Sequence, residues 1–303
     1  MTLSQLQMFK MVAEQGSIAR AAQLLHCVPS NITTRLKLLE EDLGVPLFIK
    51  KGRGLIVSPC GLIFLDYAND ILSLCQQARQ AIAVESIPTG ALKIGAIESS
   101  ATGRLPAILA KYHQQYPQVQ MQFSTASWQQ LLADVIDHKL DGAIIAAKPQ
   151  HPLINSIEIY QEALVLITSA TELAIKEPAD LAAKNVFMWP PGCPYRQKLE
   201  QWLAQDKVSL AITNIASYGT ILGCVSGGAG VSLVPRGMFD QFKNTGTIKG
   251  YEFGELTPIK NYFISNKNVG PHRARQVFLE LLTSEFLNSV DTRLNLAAPD
   301  TLA

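Results

Sequence analysis

Up to about Gly44 the apolar residues recur at helical spacing, with Leu3, Leu6, Phe9 and Val12 making one stripe and Ala19, Ala22 and Leu25 another. Three short helices are predicted. The first breaks at Gln15-Gly16, Ser17 caps a second that ends near His26, and Pro29-Ser30 opens a third running to Asp42. Residues 47–58 read as a small hairpin whose tip, Lys51-Gly52-Arg53-Gly54, is basic and glycine-rich. Beyond Gly61 there is no Gly or Pro until about Glu85, and Phe64, Ala68, Ile71, Cys75, Ala78 and Ile82 follow one another at spacings of 4, 3, 4, 3 and 4. A lone helix with such a heptad-like seam, lying between two domains, is expected to pack against a second copy of itself.

At Pro88-Thr89-Gly90 the pattern changes to short apolar runs alternating with amphipathic helices. Candidate strands are 92–97, 119–124, 140–145, 163–168, 185–189, 210–215, 231–234 and 261–265. Candidate helices are 103–115, 128–138, 194–205 and 218–226, with a last one at 273–288. This alternation predicts an α/β region with mostly parallel sheets. The expected organisation is a domain at 1–60, a linker or dimerisation helix at 61–88, and two α/β lobes over 89–303. Lobe 1 would hold about 89–162 and 267–303, and lobe 2 about 163–266.

Composition narrows the class. The 303 residues, 48% of them hydrophobic, suffice for two or three domains without help from disulfides or metal. The net charge of +1 points to no polyanionic partner for the chain as a whole. Residues 1–60, however, carry seven Lys or Arg against four Asp or Glu, a local +3 that leaves −2 for the rest. Five widely spaced cysteines without a C-x-x-C pair fit reduced thiols and a cytosolic address. No apolar run approaches ~18 residues, so no membrane partner is expected.

The third helix has two faces. Ile32, Leu36, Leu39 and Leu43 form a core stripe, while Ser30, Thr33, Thr34 and Lys37 form a second stripe of short polar side chains ending in a cation. Short hydroxyl side chains let a helix approach base edges in a major groove, and Arg35 and Lys37 can reach phosphates. Small residues at Gly16-Ser17 and Ala21-Ala22 allow the preceding helix to cross tightly, as a helix-turn-helix requires. The competing reading is that Ser30-Asn31 merely caps a surface helix. The order of three helices, basic hairpin and apolar-striped helix favours a winged helix-turn-helix in which Lys50, Lys51 and Arg53 meet phosphates or a minor groove.

Residues 1–60 resemble the DNA-binding domain of LysR-type transcriptional regulators. The matching stretches are Leu6-Gln7-Met8-Phe9, Gly16-Ser17, Ala21-Ala22-Gln23-Leu24-Leu25, Pro29-Ser30-Asn31-Ile32-Thr33 and Leu39-Glu40-Glu41-Asp42-Leu43-Gly44-Val45-Pro46-Leu47-Phe48. The linker helix and two lobes are similar to the family's periplasmic-binding-protein-like effector domain, so the resemblance spans essentially the whole chain. It departs at Val28, where these proteins often have Gln, at Thr34, where Arg, Gln or His is common, and at Ser58-Pro59-Cys60-Gly61, which replaces Thr-x-Ala-Gly. The resemblance implies Pro29, Ser30, Asn31, Thr33, Thr34, Arg35, Lys37, Lys50, Lys51 and Arg53 at promoter DNA. It also implies a homodimer or homotetramer through the linker helix and a small-molecule effector between the lobes.

Open α/β sheets bind ligands at the C-terminal ends of their strands. The first such loop offers Glu98, Ser99, Ser100 and Thr102, and others offer Ser127, Ala146, Trp189, Cys193 and Tyr218. The hydroxyls and free helix amides suit a carboxylate; Glu98 favours a cationic amine, with Trp189 and Tyr218 adding cation–π contacts. Glu98 could alternatively engage the adjacent helix N-terminus or Arg104. There is no G-x-S-x-G or H-E-x-x-H, and His26, His113, His138, His151 and His272 show no metal-ligand spacing. Neither metal, cofactor nor enzymatic activity is expected. A solute-binding protein and a cytosolic α/β enzyme are the rival classes, disfavoured by residues 1–85 and by the lack of any catalytic motif.

Overall fold

The computed structural model describes residues 1–51, 54–82, 87–182, 184–205, 210 and 212–296. The chain divides into two compact units, residues 1–84 and 85–303.

In the first unit α1 (Leu3–Gln15) starts on a reciprocal cap. Thr2 Oγ1 accepts from the Gln5 amide at 3.3 Å, and Gln5 Oε1 accepts from the Thr2 amide at 2.8 Å. Gly16, at φ 61°, ends α1 in the left-handed conformation that glycine adopts without strain. Ser17 then caps α2 (Ile18–Leu24). In α3 (Pro29–Leu43) the cap position is Val28, which places Ser30 and Asn31 inside the helix and excludes them as its cap. The three helices bury Phe9, Val12, Ile32 and Leu39. Strands β1 (Phe48–Lys51) and β2 (Gly54–Val57) pair antiparallel as the wing. Arg53 and the side chains of Lys51 and Ile82 lie outside the described residues.

Helix α4 (Pro59–Ile82) enters against the wing so closely that a Cβ on Gly61 would sit 2.2 Å from the Leu47 carbonyl oxygen. Its expected seam is corrected here. The Phe64 ring lies 5.2 Å from Phe9, Ala68 is fully buried, and Ile71 packs on the same cluster, so the first half of that stripe belongs to this unit's own core. Heptad spacing cannot tell an intramolecular neighbour from a second helix. Among the described residues of α4 the exposed large apolar side chains are Leu62 (57%), Ile63 (64%), Tyr67 (63%) and Leu74 (53%), of which the last three are separated by 4 and 7. At 100° per residue Ile63, Tyr67 and Leu74 form a stripe about 90° round the helix from the buried one.

The second unit holds two mixed sheets, not the mostly parallel ones expected. The first has the order β4 (Val119–Thr125), β3 (Gly90–Ala96), β5 (Gly142–Ile145), β12 (Ile259–Asn266), β6 (Ile154–Glu162). Its β3 pairs parallel with β4 and β5, while β12 runs antiparallel to β5 and β6. Strand β12 therefore belongs to lobe 1, and the boundary of lobe 2 moves back from 266 to about 258. Helices α6 (Pro106–Gln115), α7 (Trp128–Ile136) and α11 (Arg273–Leu296) cover the two faces, with Phe263, Phe278 and Tyr112 at the centre of one core and Leu131, Val135 and Ile264 in the other.

The second sheet is built on β7 (Leu164–Ser169), every residue of which is buried, flanked antiparallel by β10 (Ser232–Pro235) and β11 (Ile248–Tyr251). A parallel pair, β8 (Val186–Met188) and β9 (Ile212–Asn214), joins it through a bridge between Val186 and Val231. Helices α8 (Pro194–Gln205), α9 (Tyr218–Ser226) and α10 (Arg236–Phe242) complete lobe 2. Strands β6 and β11, helix α10 and the short α5 (Glu98–Gly103) had no counterpart among the predicted elements.

The lobes are held together away from the cleft by a buried ion pair. Arg104 Nε donates to Glu162 Oε2 at 2.7 Å, and Glu162 Oε1, at the crossover between lobes, also accepts from the Gly237 amide at 3.1 Å. Alongside, α5 and α10 approach so closely that a Cβ on Gly103 would lie 2.7 Å from the Gly237 carbonyl carbon.

Candidate functional site

On α3 the named polar residues share one exposure. Pro29, Ser30, Asn31, Thr33, Thr34, Arg35 and Lys37 are all exposed, while Ile32, Leu36 and Leu39 are buried. Two of them are partly engaged. Thr33 Oγ1 donates to the Pro29 carbonyl at 3.0 Å, and Arg35 Nε donates to Asn31 Oδ1 at 3.2 Å, which steadies the guanidinium while leaving its terminal nitrogens unused by that bond. Lys37 pairs loosely with Glu41 at 3.6 Å, an exposed contact that a phosphate can replace. Lys50 is exposed on the wing. Val28, the 62%-exposed apolar cap residue, adds an apolar surface beside Pro29 that composition did not flag.

In the second unit a cavity of about 240 Å³ lies between the lobes. Its walls include Glu98 and Ser99 from α5, Ser127 and Ala146 at strand ends of lobe 1, and Trp189, Cys193 and Tyr218 from lobe 2. Ser100 and Thr102 are not part of it. Ser100 is buried against the Tyr160 hydroxyl at 2.7 Å, and Thr102 is exposed, because a six-residue helix turns them away from the loop face. Tyr195, in the same loop as Cys193, also lines the cavity, as do Trp128 and Gly192, which were not singled out from sequence. The signal was available for Trp128, which directly follows Ser127 at the end of a strand.

Three hydrogen bonds cross the cleft. Glu98 Oε1 accepts from the Tyr218 amide at 3.1 Å, Trp128 Nε1 donates to the Gly192 carbonyl at 2.9 Å, and Ser99 Oγ donates to the Tyr195 hydroxyl at 3.4 Å. Glu98 thus engages the N-terminus of α9 in the other lobe, not that of the helix next to it in sequence, while Arg104 is committed to Glu162. Burial pushes the Glu98 carboxyl above its ordinary value, and the Tyr218 amide partly opposes this. Burial likewise raises the Cys193 thiol, which makes it a poor nucleophile at neutral pH. The Trp189 indole N–H is buried without an acceptor among the described residues.

Charge separates the ligand classes. Glu98 is the single ionisable residue of the Asp, Glu, Lys, Arg and His types among the cavity's lining residues. No cation lines the cavity to meet an anion, and the donors left to one are neutral, the Trp189 indole N–H and serine hydroxyls. Ser127 Oγ caps α7 by accepting from Gln130 N, Ser217 Oγ caps α9 by accepting from Thr220 N, and Glu98 occupies the Tyr218 amide. Among the described residues no group of three or more His, Cys, Asp or Glu stands ready to hold a metal ion. No helix among them is long and apolar enough to cross a membrane.

A winged helix-turn-helix with an exposed polar recognition face, followed by a long helix and a two-lobed α/β domain around a cleft, is the build of a ligand-responsive transcription regulator. Residues 3–62 match the model for the bacterial regulatory helix-turn-helix protein of the lysR family, and residues 86–287 match the LysR substrate binding domain. The chain belongs to the LysR family of DNA-binding transcription regulators. It is 35% identical over 282 residues to an uncharacterized HTH-type transcriptional regulator, YusT, of Bacillus subtilis (strain 168), covering 92% of this chain and 94% of that one. It is 32% identical over 284 residues to the HTH-type transcriptional regulator SoxR of Arthrobacter sp. (strain TE1826), covering 93% and 96%. Among solved structures, full-length OxyR from Pseudomonas aeruginosa aligns at a TM-score of 0.68 with 22% identity over 94% of each chain. Full-length CbnR complexed with its target DNA aligns at 0.67 with 22% identity, covering 95% of this chain and 100% of that one.

Proposed function

We propose that this LysR-family regulator is controlled by a small cationic effector, an amine, held in the interlobe cavity. The observation that carries this reading is the lining itself, with one carboxylate, Glu98, and no Lys, Arg or His. An ammonium would meet the Glu98 carboxylate, while Trp128, Trp189 and Tyr218 offer aromatic surface for its apolar body and for cation–π contact. A carboxylate effector would find no cation in this lining and only neutral donors beside the negative charge of Glu98. Calorimetric titration of wild type and Glu98→Gln with matched amines and carboxylates tests the reading. Amine binding should weaken about ten- to a hundredfold in the variant, as loss of one charged hydrogen bond implies. Tighter carboxylate binding by the variant than amine binding by wild type would reject it.

At promoter DNA the reading places Ser30, Thr34 and Lys37 toward the major groove, with Arg35 steadied by Asn31 and with Lys50, Lys51 and Arg53 toward phosphates. Two such heads are joined as a homodimer, or paired dimers in a homotetramer, through the exposed stripe Ile63, Tyr67 and Leu74 of α4. The apolar character and heptad spacing of that stripe support a second copy of the same helix as its partner.

A further inference from the structure

A second cavity, of about 440 Å³, lies next to the first and shares Trp128, Ala146, Gly192 and Pro194 with it. Its charge is the reverse. Lys148 after β5, Lys198 on α8 and Lys260 on β12 line it, and no Asp or Glu does. The one carboxylate tied to these lysines is Glu158, bonded to Lys260 at 2.8 Å and influenced by Lys148 at longer range. Lys198 Nζ instead donates to a neutral group, the Thr257 hydroxyl, at 3.0 Å. Three lysines therefore line the cavity against one acid, Glu158, which stands outside its lining and, of the three, is bonded to Lys260 alone. Trp128, whose indole N–H donates to the Gly192 carbonyl at 2.9 Å, lines both spaces.

We infer that the two cavities are the two ends of one site, and that the effector is amphoteric: an ammonium at Glu98, an apolar spacer along Trp128, and an acid group at Lys148, Lys198 and Lys260. This rests on the cationic reading of the Glu98 cavity and extends it. The apolar, aromatic walls shared by the two cavities suit a methylene chain better than a polar linker. A carboxylate among lysines of high local positive charge gains chiefly through charge-assisted hydrogen bonds, so each lysine contributes part of the preference and no single one carries it.

The experiment is calorimetry on the full-length protein with ω-amino carboxylates of increasing chain length, the n-alkylamines that lack the acid, and the alkanoates that lack the amine. One amino acid of the series should bind about tenfold or more tighter than its matched amine. In the Lys148→Ala, Lys198→Ala double variant that advantage should disappear while amine binding stays as in wild type. Both lysines lie toward the surface, so the variant keeps the fold, which its unfolding temperature checks. Equal binding of amine and amino acid by wild type would overturn the two-ended site and leave the cationic reading standing. Binding of alkanoates as tight as that of amino acids, unaffected by Glu98→Gln, would overturn both, as would failure of every compound to bind.

Discussion

The carboxylate of Glu98, in the first turn of a lobe 1 helix, accepts a hydrogen bond from the backbone amide of Tyr218, the first residue of a lobe 2 helix, at 3.1 Å. One oxygen of the carboxylate thereby helps hold the lobes together, and the other is left for a ligand. The same contact couples the charge of the cavity to its closure, because a helix N-terminus stabilises the ionised carboxylate most.

That coupling gives amine binding a defined pH dependence. Burial raises the Glu98 carboxyl, so the native protein takes up this proton at a higher pH than the unfolded chain does. Amine affinity should fall as the pH drops through the raised value, where the carboxylate is lost, and level off above it. Without ligand the sign is opposite for stability, since a raised carboxyl favours the native state at low pH and that contribution is lost as the pH rises through it. Glu98→Gln, whose amide oxygen can still accept from Tyr218, should abolish the acid fall in amine affinity. A titration of affinity against pH that is unchanged in the variant would show that another group is responsible.

On the recognition helix, Thr33 already spends its hydroxyl proton on the Pro29 carbonyl, whereas Thr34 has no such bond on its helix and faces away from Ile32 and Leu36. Thr34→Ala should therefore reduce binding to a selected site by about 1–3 kcal/mol and leave random DNA almost unaffected. Lys50→Ala should weaken both equally and lower the slope of log K against log salt by about one. Fluorescence anisotropy across a salt series separates the two effects, and a Thr34→Ala loss equal on both DNAs would remove it from base readout.

The resemblance and the three-helix pattern made the first unit legible because its core stripes are local and regular. The second unit was less so. Strand β6 mixes Ile154, Ile157 and Ile159 with Asn155, Ser156 and Glu158 and pairs across a bulge at Asn261/Tyr262, so period-two alternation never develops. Strand β11, Ile248-Lys249-Gly250-Tyr251, lies at a sheet edge with two of its four residues exposed. The assignment of β12 to lobe 1 depends on pairing with residues more than 90 positions earlier, which no local pattern encodes. In the cleft, strand-end position found Glu98, Ser127 and Tyr218, but the turn of α5 that diverts Ser100 and Thr102 has no apolar periodicity to reveal it.

For α4 the buried and exposed stripes should respond differently to charge. Ala68→Asp places a carboxylate in the core of the first unit, at a cost of several kcal/mol, and should lower its unfolding temperature. Tyr67→Asp, at an exposed position, should leave folding within about 0.5 kcal/mol and instead shift sedimentation toward smaller assemblies. An unchanged oligomer in Tyr67→Asp at micromolar concentration would place the self-association elsewhere.

The ion pair at the crossover offers the sharpest test of what holds the second unit together. Glu162 is 2% exposed and Arg104 18%, and besides Arg104 the Glu162 carboxylate satisfies the Gly237 amide. The Arg104 guanidinium stays charged with or without its partner, so removing the acid strands a partly buried cation and an unpaired amide together. Glu162→Ala should cost about 3–5 kcal/mol of stability, seen as a lower thermal midpoint of the effector domain. Glu162→Gln keeps an acceptor for Gly237 but loses the charge, and should recover only part of that loss. The double variant Arg104→Met, Glu162→Leu removes both charges and fills similar volume. It should be more stable than Glu162→Ala even though it lacks the salt bridge, because the cost lies in the unpaired charge and not in the missing attraction. Equal midpoints for Glu162→Ala and wild type would mean that the close contact of Gly103 with Gly237 suffices to hold the lobes on that side.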